Sequence, residues 1–442
     1  MNRKNVLSLL LSAVVVLSMS LPLAAQEEAV TIKMVYWPGP ESEAMEQVVE
    51  YWNTNMAPET GVEVEMVLFS RDVFWERQDT ILAAQSPEID LVYTASYIVG
   101  KQSPSLENLE DYLEGIAEDS VFIGSAQDSL KVEGSVYALP LDIGLHFMYY
   151  RMDLIDELLS NAEWQARYTE IAEEHLGEAR EPKPIEEWDW TDYKAASLFF
   201  TQSYNPDSPT EYGTVIQAKN LIYNVMLWND VLWSMGGSWF DEEGNFDFTT
   251  DTFADAAMLY GDLIAMGASP AGSTTYEYPE ANQAFLTGKA AFFIQWSAAF
   301  NELNSAETSP FAGMVGISRM PGPEPSTHVH CLGVGLSKYS ENKEAAVEWL
   351  TFLATQEAME MYAANGGVPP VMDVLMGMAD QRPEFPLIAE HADLYGYVET
   401  TVAETVPILE VLAKRLSAVW AGEVDIAEAQ GQTQEEVAAL FE

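Results

Sequence analysis

Between Cys331 and Pro370 the pattern of apolar and polar positions changes period twice. Leu332, Gly333, Val334, Gly335 and Leu336 form a short run of small and apolar residues, the mark of a buried strand, and the glycines leave its backbone open to close approach. Ala346, Val347, Leu350, Leu353 and Ala354 then recur at helical spacing behind Ser340 or Asn342 as a cap. Thr355 caps a second helix with Met359 and Tyr362 on its apolar side. That helix is stopped by Asn365-Gly366-Gly367 and followed by Pro369-Pro370. A strand and two capped helices make half of an α/β lobe, so the rest of the chain must supply the other half.

It does so from its start. Residues 30–36 read as a strand running into Trp37-Pro38-Gly39-Pro40, followed by a helix with Ala44, Met45, Val48, Val49 and Trp52 on one face. Strands over 61–67 and 89–93 flank a helix over 71–84. Strands separated by helices predict a parallel sheet, with ligands gathered at the carboxyl ends of its strands. Those ends carry Trp37, Glu41, Thr94, Ser96 and Tyr97. A short polar helix is expected over 106–113 and a strand over 135–140. The latter reaches a crossing at 142–145 into a second lobe, where 147–150 continue as a strand. Residues 153–187 are a charged, helix-prone insertion. Helices follow over 220–233, 253–266 and 280–286, and the strand over 290–294 delivers Gln295 and Trp296 to a loop. After a strand over 315–318, Pro321-Gly322-Pro323 reads as the return crossing.

With 48% apolar residues, 442 residues suffice for two or three domain-sized cores. Residues 1–25 have the features of a signal peptide: Arg3 and Lys4, an apolar run over 6–21, then Leu23-Ala24-Ala25. No cysteine stands at its cleavage site, which predicts a soluble periplasmic protein rather than a lipoprotein. Cys331 is the single cysteine, so an internal disulfide and a multi-cysteine metal site are excluded. The formal net charge of −50 argues against nucleic acid and anionic membranes as partners. It fits either a solvated acidic surface or a pocket for a cationic ligand such as a polyamine. Added salt should raise the melting temperature by screening carboxylate repulsion. A flat or falling temperature between dilute buffer and about 1 M NaCl, where the Debye length is about 3 Å, would contradict this.

Several motifs in order are familiar: Pro87-Glu88-Ile89-Asp90-Leu91-Val92, Val136-Tyr137-Ala138-Leu139-Pro140 with Tyr150, and Trp188-Asp189-Trp190. Phe285-Leu286-Thr287-Gly288-Lys289-Ala290-Ala291, Arg319-Met320-Pro321-Gly322 and Ala345-Ala346-Val347-Glu348-Trp349-Leu350 follow. Together they resemble the family 1 extracellular solute-binding proteins, the maltose-binding-protein-like receptors of ABC transporters. The resemblance implies an α/β protein of the periplasmic binding protein type II, with two lobes, a ligand cleft and several hinge crossings. One lobe would comprise 26–141 plus 324–366 and the other 146–320 plus 371–442, joined through 142–145, 321–323 and 367–370. It further implies a monomeric receptor that binds a carbohydrate, an oligosaccharide or sugar derivative, and delivers it to the permease subunits of an importer. No cofactor, metal or catalytic step is required.

A sugar needs directional partners for its hydroxyls and flat rings for its CH faces, which Asp, Glu, Asn, Gln and the aromatic residues supply. The candidates are Trp37, Glu41, Thr94, Ser96, Tyr97, Asp142, Asn224, Trp228, Asn229 and Trp296, with Gly333 and Gly366 offering close backbone approach. The resemblance places a stacking ring at Trp296 and hydrogen-bonding groups at Asn224 and Asn229. Trp228 and Trp233 fit a core equally well. Gly144 and Tyr97 stand where the best-known maltose receptor has acids, which argues against maltose itself. Two readings compete with the sugar receptor: a receptor for a polyamine or other small solute, and an exported carbohydrate-active enzyme. The His328-Val329-His330 pair lacks a third ligand at diagnostic spacing, and the common nucleophile, phosphate-loop and zinc-helix motifs are missing.

Overall fold

The computed structural model describes residues 29–113 and 122–442; the expected leader at 1–25 lies outside them. In chain order the strands are β1 (Val30–Tyr36), β2 (Val62–Leu68), β3 (Leu91–Ala95), β4 (Lys131–Val132), β5 (Ser135–Val136), β6 (Leu139–Gly144) and β7 (His146–Arg151). They continue as β8 (Tyr212–Val215), β9 (Ala290–Trp296), β10 (Val315–Ser318), β11 (Thr327–His328), β12 (His330–Leu336) and β13 (Gly396–Tyr397). One sheet has the order β2-β1-β3-β12-β6 and a second the order β10-β7-β9-β8.

The expectation of a parallel sheet is corrected. β1 is parallel to β2 and β3, and β8 to β9, but β12 is antiparallel to β3 and β6, and β7 to β9 and β10. The reversed strands are those that enter a sheet from the other lobe. β6 ends at Gly144 in the first sheet, and β7 begins at His146 in the second, with only Leu145 between. β12 carries the chain back. A strand starting at the gap between sheets must run away from it, opposite to strands that run toward it.

Helices cover both sheets for the reason their apolar spacing gives. The helix Pro40–Asn55 buries Ala44, Met45, Val48, Val49 and Trp52, and the Trp52 indole meets Trp349 edge-on at 5.4 Å between ring centres. Thr355 caps the helix Gln356–Ala364 by accepting from the Ala358 amide, and Gly366 leaves it with φ +111°, a backbone angle that favours glycine. The insertion folds as two helices, Met152–Ser160 and Ala162–Leu176. The polar helix expected over 106–113 is helical only at Glu110–Leu113. Leu106 instead bridges Ser337, tied to the sheet by its burial. Helices Thr405–Trp420 and Ile426–Ala438 close the second lobe by packing on helices Ile222–Ser234 and Asp251–Ala265. Cys331 is buried in β12, and burial pushes its thiol up, so it packs as a small apolar residue. Among the described residues no helix is long and apolar enough to cross a membrane.

Candidate ligand-binding cleft

The ends of β1, β6 and β9 converge on a cavity of about 940 Å³. The first sheet and its helices contribute Trp37, Glu41, Arg71, Trp75, Tyr97 and Asp142; the second lobe contributes Gln217, Tyr223, Asn224, Glu277, Tyr278 and Trp296. Gly366, Val368, Arg382 and Glu384, from the last part of the chain, complete the lining.

Trp37 leaves β1 and packs edge-on against Tyr93, Phe74 and Trp75, with the Arg71 guanidinium 5.0 Å from its ring centre. Glu41 sits in the first turn of its helix, where an acid is favoured, and its Oε1 is 3.5 Å from Arg71. Tyr97 stacks on His330 at 5.4 Å and meets Tyr223 edge-on across the cleft at 6.5 Å. Trp296 ends β9, stands edge-on to His146 at 4.2 Å and to His330 at 5.3 Å, and passes within 3.6 Å of where a side chain on Gly144 would begin. Asp142 Oδ2 accepts hydrogen bonds from the Tyr362 hydroxyl at 2.9 Å and the Val368 amide at 2.8 Å, tying β6 to the segment after Gly366. Among the described residues, Trp37 Nε1, Glu41 Oε2 and Glu384 Oε2 are buried with no hydrogen-bond partner.

Seven of the twelve candidates thus line the cavity: Trp37, Glu41, Tyr97, Asp142, Asn224, Trp296 and Gly366. The other five, Thr94, Ser96, Trp228, Asn229 and Gly333, lie outside that lining. Trp228 is fully buried, donates to the Ala256 carbonyl and packs on Phe253 and Trp420. Asn229 is also fully buried, held between Glu399 and the Trp239 indole. Their helix turns Asn224 toward the cavity and these two into the lobe. Thr94 and Ser96 are buried within the first lobe, on and just beyond β3. The close approach at Gly333 comes from the protein: a side chain there would begin 2.5 Å from Leu130 and 2.9 Å from the Leu139 carbonyl.

Arg71 and Trp75 were findable, since they follow β2 as the strand-end rule requires. Tyr223, Glu277, Tyr278, Arg382 and Glu384 were missed. The last two come from a stretch with no strand end or motif to mark it. His146, another omission, is fully buried with its Nδ1 2.8 Å from Asp230 Oδ2, while Asp230 Oδ1 accepts from the His328 amide. Among the described residues no group of three or more His, Cys, Asp or Glu side chains is placed to hold a metal ion.

Burial sets the acid–base balance here. It holds Asp142 protonated up to about 8, reinforced by the charge of Glu41, and Glu399 up to about 8, reinforced by Asp230. It pushes His330 down to about 3, with His146 and Arg71 acting in the same direction. Carboxylates of the unfolded chain titrate near about 4, so the folded state binds more protons from there to pH 8, and stability falls as pH rises through that window. For His330 the unfolded state binds more protons below about 6.5, and stability falls as pH drops toward 3. The melting temperature should therefore peak between about pH 4 and 6.5 and decline through pH 8. A melting curve series that climbs from pH 6 to 8 contradicts these assignments.

Two α/β lobes with a polar, ring-lined cavity where their strand ends meet define a periplasmic binding protein of type II. The family model of bacterial extracellular solute-binding proteins matches residues 38–360, and the chain belongs to that family. Among curated relatives, a probable amino-acid ABC transporter periplasmic-binding protein of Sinorhizobium fredii is 26% identical over 234 residues, 52% of this chain. That match spans 51% of the relative, about half its length. The mannitol-binding protein of Pseudomonas aeruginosa is 22% identical over 320 residues, 70% of this chain and 66% of that one. Among solved structures, the maltose-bound MalE3 of T. maritima superposes with a TM-score of 0.73 at 22% identity, covering 93% of this chain and 100% of that one. Of the two curated relatives, the first is named as the binding protein of a transporter and the second as a binding protein.

Proposed function

We propose that this chain is the periplasmic receptor of an ABC importer, binding a carbohydrate in the cleft and handing it to the permease. The observation that carries the reading is the lining itself. Trp37, Trp75, Tyr97, Tyr223 and Trp296 offer flat apolar faces, and Glu41, Asp142, Gln217, Asn224 and Glu384 offer directional hydrogen bonding, in a cavity of a size that suits a small oligosaccharide. The mannitol- and maltose-binding relatives support a polyhydroxylated ligand.

The segments 142–145, 321–323 and 367–370 act as the hinges between the lobes. Ligand binds the closed arrangement better than the open one, and that difference drives closure. Asp142 joins the first segment to the third through Val368. A thermal-shift screen across sugars, polyols, amino acids and polyamines tests the reading, since a ligand bound at a hundred times its Kd stabilises by about 2.7 kcal/mol. A shift with amino acids or polyamines and none with any sugar or polyol sinks it. For the hinges, small-angle scattering should show a smaller radius of gyration with the hit than without; an unchanged radius argues against closure.

A further inference from the structure

Among the described residues, one acid of the cleft has no ion-pair partner. Glu41, Asp142, Glu277 and Glu384 line it against two guanidinium groups, Arg71 and Arg382. Both cations are already committed, Arg71 to Glu41 Oε1 and Arg382 Nε to Glu384 Oε1 at 2.6 Å, and Glu277 takes Lys219 at 3.3 Å. Asp142 is the acid left over: among the described residues no lysine or arginine forms an ion pair with it, and its partners are a tyrosine hydroxyl and a backbone amide. Independently, Glu384 is 2% exposed, and among the described residues neither its Oε2 nor Glu41 Oε2 has a hydrogen-bond partner. Buried carboxylate oxygens cost free energy unless a donor reaches them, and a cation is the strongest donor. The rings of Tyr97, Tyr223 and Trp296 add faces on which a cation is attracted.

We propose that the bound sugar carries a protonated amine, and that this amine is received by Asp142 and Glu41. The inference rests on the carbohydrate reading above and narrows it. The groups that face Asp142 are Glu41, Arg382 and the hydroxyls of Tyr36, Tyr93 and Tyr362. Burial and Glu41 keep Asp142 protonated near neutral pH, so an arriving cation favours its ionisation and a proton leaves to the buffer. A neutral sugar gives no such release.

The test is titration calorimetry at pH 7 with glucosamine, galactosamine and the chitosan disaccharide. Each is compared with its neutral parent (glucose, galactose, cellobiose) and its N-acetyl form, in two buffers of different ionisation enthalpy. At least one amine should bind about tenfold or more tighter than both counterparts, with proton release, and the preference should shrink as salt is raised. Asp142→Asn and, separately, Glu41→Gln should lower the ratio of amine to neutral-sugar affinity, with the neutral parent measured alongside in each variant. The Glu41 variant leaves the Tyr362 and Val368 contacts intact, so a folding defect in one variant does not hide the answer. Neutral parents binding as tightly as their amines, or an amine preference unchanged in both variants, overturns the inference and leaves the sugar receptor standing. Binding by no member of either series, with a hit from another solute class, overturns both.

Discussion

Replacing Trp296 by alanine should weaken ligand binding by about 2 kcal/mol or more, close to thirtyfold in Kd, while leaving the fold intact. The ring ends β9 at the cavity and rests edge-on against His146, His330 and Tyr223, so truncation enlarges a space that is already open to ligand. An interior ring would instead leave a void that its neighbours fill only in part. Calorimetry and a melting curve on the one variant separate the two roles. Unchanged affinity with a sharply lowered melting temperature would assign Trp296 to packing, and Trp37 would then be the first ring to examine.

Trp228→Ala should show the opposite pair of results. The side chain is fully buried, its indole N–H is satisfied by the Ala256 carbonyl, and it joins helix Ile222–Ser234 to Phe253 and Trp420. Removing it forfeits the hydrogen bond, the ring contacts and the transfer energy together, about 3–5 kcal/mol of stability. The melting temperature should fall by about 3–6 °C for a chain of this size, with affinity for any cleft ligand nearly unchanged at a temperature where the variant is folded. A large affinity loss without a stability loss would bring Trp228 back to the cleft.

These two tryptophans show where a one-dimensional reading loses resolution. Both lie in apolar surroundings, and both are aromatic residues near asparagine or glutamine. Trp296 could be placed because it ends a strand, and strand ends in an α/β sheet face the ligand side. Trp228 lies inside a helix that is buried nearly all round, where Asn224, Asn229 and Asp230 interrupt the apolar run without marking one face. Helical spacing separates Asn224 from Asn229 by more than a turn, but it does not say which side meets the cavity and which meets Glu399. Gly333 is a different case. The absence of a side chain signalled a close neighbour, and that neighbour is the chain's own Leu139 carbonyl.

By itself the sequence determined most of the elements, the Thr355 cap and the α/β class, because apolar period, cap chemistry and glycine stops are local properties of a few neighbouring residues. Its ordered motifs also carried the family. Only the tertiary structure decided the direction of β12 and β7, since strand direction depends on which side of the cleft the chain re-enters. It also decided that Arg382 and Glu384 meet residues more than three hundred positions earlier in one cavity. It placed Asp142 on the Val368 amide and left it without a cation. Burial, charge pairing and hydrogen bonding across such separations are set by the packing of whole lobes, and no local spacing encodes them.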